Sequence, residues 1–220
     1  MRSTLIRDLA LGLTIGTAGF VLTLAGSGVA NGSPAFWYLS RTSGIVAYLM
    51  FWGSVAWGLM ISTGMGRAWV RPAVLMEAHQ FLSSAAIGFA AFHGLVLIGD
   101  ATVPFSVADV LVPFVGTHKP VLVALGQLGG WMALLIVVSF HARRRIGAQV
   151  WRRLHTAAFA AYWMVLAHGA WLGSDRNTLW LNAVYAVTSG TVVFLFSCRV
   201  LMALMTPKVG HALNAPAGGQ

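Results

Sequence analysis

Apolar and polar positions along this chain fall into long blocks instead of alternating. Six runs stay apolar for about 20 residues, the length a helix needs to cross a bilayer. They cover roughly 9–30, 43–63, 77–99, 120–141, 154–172 and 178–204. The longest polar interruption, DATVPFSVADVLVPFVGTHKP at 100–120, mixes apolar residues with Pro and Asp. It reads either as a short surface helix capping one end of the bundle or as an irregular loop. The last stretch, TPKVGHALNAPAGGQ, is broken by Pro and Gly and reads as disordered. The pattern therefore predicts an all-α protein, a six-helix transmembrane bundle over residues 1–205, with a tail at 206–220. No soluble domain and no internal repeat is visible. The first run opens with positive charge, and GVA at 28–30 precedes NGSPA, as in a secretory signal. It is longer than the 7–15 apolar residues of a signal core, so a retained first helix is expected.

Composition sharpens the membrane reading. Of 220 residues 58% are hydrophobic and 9% charged, with a mean hydropathy of +0.77. A soluble domain carries about 25% charged residues. The net charge of +9 raises the question of nucleic acid. The basic residues lie between apolar runs and form no continuous patch, so no nucleic-acid partner is expected and membrane lipid is. With the N-terminus inside, the inner segments hold Arg2, Arg7, Arg67, Arg71, Arg143, Arg144, Arg145, Arg152, Arg153, Arg199 and Lys208. The outer loops hold only Arg41, Lys119 and Arg176. The positive-inside bias puts both termini in the cytoplasm. Trp37, Trp69, Trp151 and Trp171 fall near predicted helix ends, where interfacial aromatics belong. The single cysteine, Cys198, excludes an intramolecular disulfide, thiolate-held iron–sulfur clusters and Cys-rich zinc sites. It reads as a small buried hydrophobe.

Histidines then change the picture, because ionisable groups at membrane depth are costly and mark function. His79 and His93 lie on the third run, in AHQFLSSAAIGFAAFH. His155 and His168 lie on the fifth, in LHTAAFAAYWMVLAH. Both runs cross in the same direction, so His79 and His155 share one depth and His93 and His168 another. At about 1.5 Å per residue the two depths are roughly 20 Å apart on each helix. Two haems fit that spacing, each with one imidazole from each helix, as in a bis-His one-electron carrier. On the third run the two histidines return to within about 40° of one face. On an ideal fifth helix they diverge by about 140°, so a kink, supercoiling or differently rotated haems must absorb the difference. Ser83, Ala86 and Ala90, on the His79–His93 face, leave room for a flat macrocycle or for close helix packing. His118 and His211 read as solvated and His141 as interfacial. Arg152 and Arg153, beside His155, and Arg41, at the outer start of the second run, are cations placed to meet inner and outer haem propionates. Retention of the loop in the cytoplasm is the plainer use of Arg152 and Arg153, and lipid headgroups suit Arg41 equally well.

These features together resemble the ferric-reductase-like transmembrane domain superfamily. It includes ferric reductases, NADPH oxidases and the haem subunit of the bacterial periplasmic methionine sulfoxide reductase system. The double spacing His-x13-His and His-x12-His carries the likeness. LSRTSG at 39–44, DVLVPF at 109–114, WRRLH at 151–155 and LAHG at 166–169 extend it over nearly the whole chain. The resemblance implies two b-type haems, the inner on His79 and His155 and the outer on His93 and His168. It also implies an arginine, Arg41, near the outer haem. Electrons would cross a bacterial plasma membrane from a cytoplasmic donor to an extracytoplasmic acceptor, a metal ion or a partner reductase. Ferric reductases and NADPH oxidases continue into an FAD and NAD(P)H module. No Gly-rich dinucleotide fingerprint appears here, so the donor expected is a separate flavoprotein or a quinol. Superoxide-producing oxidases carry a further histidine one turn beyond the second ligand of the third helix. That position is Leu97 here, which argues against oxygen as acceptor. Two rivals stand beside this reading: a single-haem membrane subunit of a multi-protein reductase, and a haem-free proton-coupled transporter.

Overall fold

The computed structural model describes residues 34–100 and 103–205. The first apolar run, the signal question and the tail at 206–220 lie outside these residues. Every element described is helical. In chain order they are α1 (Pro34–Thr63), a 3₁₀ turn (Met65–Ala68), α2 (Pro72–Leu97), α3 (Val107–Leu111), α4 (Pro120–Ile146), α5 (Ala148–Thr156), α6 (Ala158–Leu172) and α7 (Leu179–Met205). Four of them, α1, α2, α4 and α7, are long and apolar enough to span a membrane.

Local chemistry explains the boundaries. Proline opens α2 and α4, where its missing N–H costs nothing and its fixed φ suits the first turn. Gly64 (φ 73°) follows α1 and Gly147 (φ 86°) follows α4, both at a positive φ that residues with a Cβ rarely adopt. The 100–120 segment holds the short surface helix, α3. Ser106 caps it: its Oγ accepts from Asp109 N (3.2 Å), while Asp109 Oδ2 accepts from Ser106 N (2.8 Å). The fifth run is not one helix. Ala157 N donates to Leu154 O (3.0 Å), a three-residue closure between α5 and α6.

α1 is the hub, packing on α2, α6 and α7, while α4 packs on α6. Tyr48, Val55, Ala56 and Leu59 of α1 meet Tyr162 of α6 and Val192 and Leu195 of α7 in the core. Three hydroxyls are buried there, and each is paired, as an apolar interior requires. Tyr48 Oη bonds to Thr188 Oγ1 and lies 3.2 Å from Tyr162 Oη. Gly129 lets α4 and α6 close together, since a Cβ there would sit 2.7 Å from Val165 Cγ2 and 3.0 Å from Ala161 O.

α3 is tied down over the end of the bundle near His93 and His168. Gln127 Nε2 donates to Asp109 O (2.7 Å) and Val110 O (2.9 Å), and Trp131 Nε1 donates to Leu111 O (3.2 Å). A Cβ on Gly94, next to His93, would lie 3.0 Å from Val110 Cγ1.

Candidate functional site

The four histidines come together in the pairs their depths predict. His79 and His155 have ring centroids 6.0 Å apart with planes at 75°. His93 and His168 stand 6.3 Å apart at 81°. The break at Ala157 lets α5 and α6 each bring one histidine to α2, so the kink is the device that absorbs the 140° divergence of an ideal helix.

Three of the four imidazoles are anchored in one way. His79 Nδ1 donates to Ser54 O (2.9 Å), His93 Nδ1 to Ser40 O (2.8 Å) and His168 Nδ1 to Leu122 O (2.8 Å). A carbonyl only accepts, so in each ring the proton is on Nδ1 and the lone pair on Nε2. This is the arrangement that orients histidine as a metal ligand. The acceptors lie inside helices and use their second lone pair. Ser40 and Ser54 add their hydroxyls at 3.3 and 3.2 Å from the same nitrogens. Each anchored ring also lies against a glycine. A Cβ on Gly44 would come within 3.1 Å of His93, on Gly58 within 3.3 Å of His79, and on Gly126 within 2.6 Å of His168.

His155 differs. Its Nδ1 is buried and meets no protein acceptor. The ring instead stacks on Trp151, with centroids 4.9 Å apart at 28°. Trp151 Nε1 is likewise buried without a partner. Trp151 in turn contacts Phe140 (5.7 Å), whose face carries the Arg143 guanidinium at 3.7 Å.

The remaining candidate residues lie around these pairs. Arg41 forms an ion pair with Asp175 and lies over the Trp37 ring at 5.0 Å. Arg152 and Arg153 are exposed on α5, in the turns just before His155. Ser83 does not face an open space. Its hydroxyl bonds to Ser54 Oγ (2.6 Å) and to His79 O (2.7 Å), which makes this small residue a link between α1 and α2. Among the described residues no three His, Cys, Asp or Glu side chains gather as a metal cluster.

Sequence reading missed the second layer: the carbonyls of Ser40, Ser54 and Leu122, and Gly44, Gly58 and Gly126. A signal was present in α1. Ser40-x3-Gly44 and Ser54-x3-Gly58 repeat at the 14-residue spacing of His79 and His93, and the two helices run antiparallel.

Do these residues suit a haem? Imidazoles bound to one metal ion from opposite sides, at about 2.0–2.1 Å each, bring their ring centroids about 6.4 Å apart. Both pairs come close to that separation. Nε2 is unprotonated in three rings, and at the His79–His155 level the buried His155 Nδ1 and Trp151 Nε1 meet no protein partner. The residues fit. Comparison of the chain with protein-family models, curated proteins and solved structures finds no match.

Proposed function

We propose that this chain is a six-helix transmembrane electron conduit of the ferric-reductase-like kind, with both termini in the cytoplasm. His79 and His155 hold an inner b-type haem, and His93 and His168 an outer one. When bound, each haem would supply one-electron exchange at its iron. The chain's own work is to hold the imidazoles. Backbone carbonyls fix three tautomers, glycines admit the rings, and the apolar helices keep water away from both levels. Electrons enter from a cytoplasmic flavoprotein or quinol on the arginine-rich side. They leave to an extracytoplasmic metal ion or partner reductase beyond α3. The observation that carries the proposal is the two facing imidazole pairs, 6.0 and 6.3 Å between centroids, at two depths.

The test is a reduced-minus-oxidised spectrum of the purified protein, with haem quantified per chain. Two haems are expected, falling to one in both His79→Ala and His93→Ala. No haem, from cells able to supply it, sinks the proposal.

A specific observation favours one variant of this reading, a single-haem subunit using only the outer level. Among the four histidines only His155 lacks an Nδ1 acceptor. One haem per chain, lost in His93→Ala and kept in His79→Ala, is its signature. A proton-relaying transporter draws less support, because the acidic groups lie at helix ends. Glu77 is exposed near the start of α2, and Asp175 is paired with Arg41.

A further inference from the structure

Electron entry needs a place where a donor can approach the inner histidines, and one surface stands out. Five arginines lie within eleven residues at the junction of α4 and α5. Arg144, Arg145, Arg152 and Arg153 are exposed. Arg143 is half-buried because its guanidinium packs on Phe140. α5 separates its polar and apolar faces more strongly than α1, α2, α4, α6 or α7. It carries arginines toward solvent and leads directly into His155.

Retention of a loop in the cytoplasm asks only for positive charge. It does not ask for contact between that charge and a buried histidine. Here contact is continuous. Arg143 stacks on Phe140, Phe140 meets Trp151, and Trp151 stacks on His155. No comparable path links surface charge to His93 or His168 among the described residues. At the other end of the helices Arg41 is paired with Asp175.

We infer that the α4–α5 arginine face is the docking surface for an acidic electron-donor protein, with Trp151 as the aromatic link from that face to His155. The inference rests on the conduit reading above and adds the partner's charge and place of contact. Positive potential of this kind raises encounter rates by about 10–1,000-fold and is screened by salt.

The experiment uses the full chain in lipid nanodiscs and two probe proteins, flavodoxin as an acidic flavoprotein and cytochrome c as a basic carrier. Association of each is followed by surface plasmon resonance, in zwitterionic and in anionic lipid. Haem content is read separately from the absorption spectrum. Flavodoxin is expected to bind in zwitterionic discs, with an affinity that falls steeply with salt, and cytochrome c is not. Arg144→Gln with Arg145→Gln should weaken flavodoxin binding about 5–10-fold at low salt and leave haem content unchanged. The paired Lys variants, which keep the charge, should restore it. Flavodoxin binding that is salt-independent, or equal in the Gln pair and the native chain, overturns the docking surface. So does an effect of the Gln pair that appears only in anionic lipid, which assigns the arginines to headgroups. Loss of haem in the native chain instead defeats the conduit reading and is seen independently of binding.

Discussion

The two histidine levels are built from the same residue types, yet they are held differently. At the His93–His168 level both rings donate Nδ1–H to a helix carbonyl and lie against a glycine. At the His79–His155 level only His79 is held so. His155 sits on a separate short helix and is positioned by stacking on Trp151. The outer level is thus fixed by backbone, which cannot move without unwinding a helix. The inner level is half fixed by a side chain next to the arginine face. Under the proposed function the His79–His155 level would meet a docking partner and gain from an adjustable wall, whereas the level covered by α3 does not need one.

The largest effect expected is at Gly126. Gly→Ala inside a helix ordinarily stabilises by up to about 1 kcal/mol. Here the new Cβ would lie 2.6 Å from His168 Nδ1, on a ring pinned to Leu122 O. Overpacking of this kind costs about 1–3 kcal/mol. In the proposed conduit Gly126→Ala should therefore lose most of the outer haem and Gly44→Ala (3.1 Å) less, while Gly58→Ala (3.3 Å), which lies against His79, should cost only a little of the inner haem. Haem per chain and the outer spectral component measure the series, and an unchanged Gly126→Ala would break the comparison.

Next in size is Trp151. Removing its ring in Trp151→Ala takes away the one stacking partner of His155. The inner haem should become labile while the outer stays, with Trp151→Phe retaining most of it. Haem loss to an apo-haem acceptor protein, timed separately for the two components, distinguishes the levels. Equal loss from both would show that they are not independently held.

A smaller effect is expected at Arg41. Its ion pair with Asp175 is partly exposed, and such pairs contribute about 1 kcal/mol or less. Asp175→Asn should lower the thermal midpoint by no more than about 4 °C. It also releases the guanidinium, so a change in the outer haem's potential that vanishes in Asp175→Asn with Arg41→Gln would reveal an outer propionate as its alternative partner.

The smallest concerns the cap over the outer level. The backbone N–H and hydroxyl of Ser106 hold the Asp109 carboxyl below the usual carboxylate range. A carboxyl depressed in the folded protein contributes stability that is complete above its unfolded pKa. That contribution fades as pH falls through the lower folded value. Hydrogen exchange in α3 should accordingly be flat from pH 5 to 8 once corrected for intrinsic rates, and rise only below about pH 4. Exchange that rises already near pH 6 would remove Asp109 as the anchor of the cap.

The apolar blocks alone determined that the chain forms helices long and apolar enough to cross a membrane. A helix satisfies its backbone within a single apolar run of about 20 residues, and the observed α1, α2, α4 and α7 coincide with predicted runs within a few residues, apart from an earlier start to α1. Equal spacing on two helices also led the sequence to expect His79 near His155 and His93 near His168, because the rise per residue of a helix is constant, and those rings lie 6.0 and 6.3 Å apart. Rotation about the helix axis was beyond it. A single three-residue closure at Ala157 redirects His155, and nothing in LHTAAFA announces it. Nor are acceptors legible when they are main-chain carbonyls, since every residue has one and only packing selects Ser40, Ser54 and Leu122. The same holds for Arg41, whose partner, Asp175, is 134 positions away and is brought to it by tertiary packing.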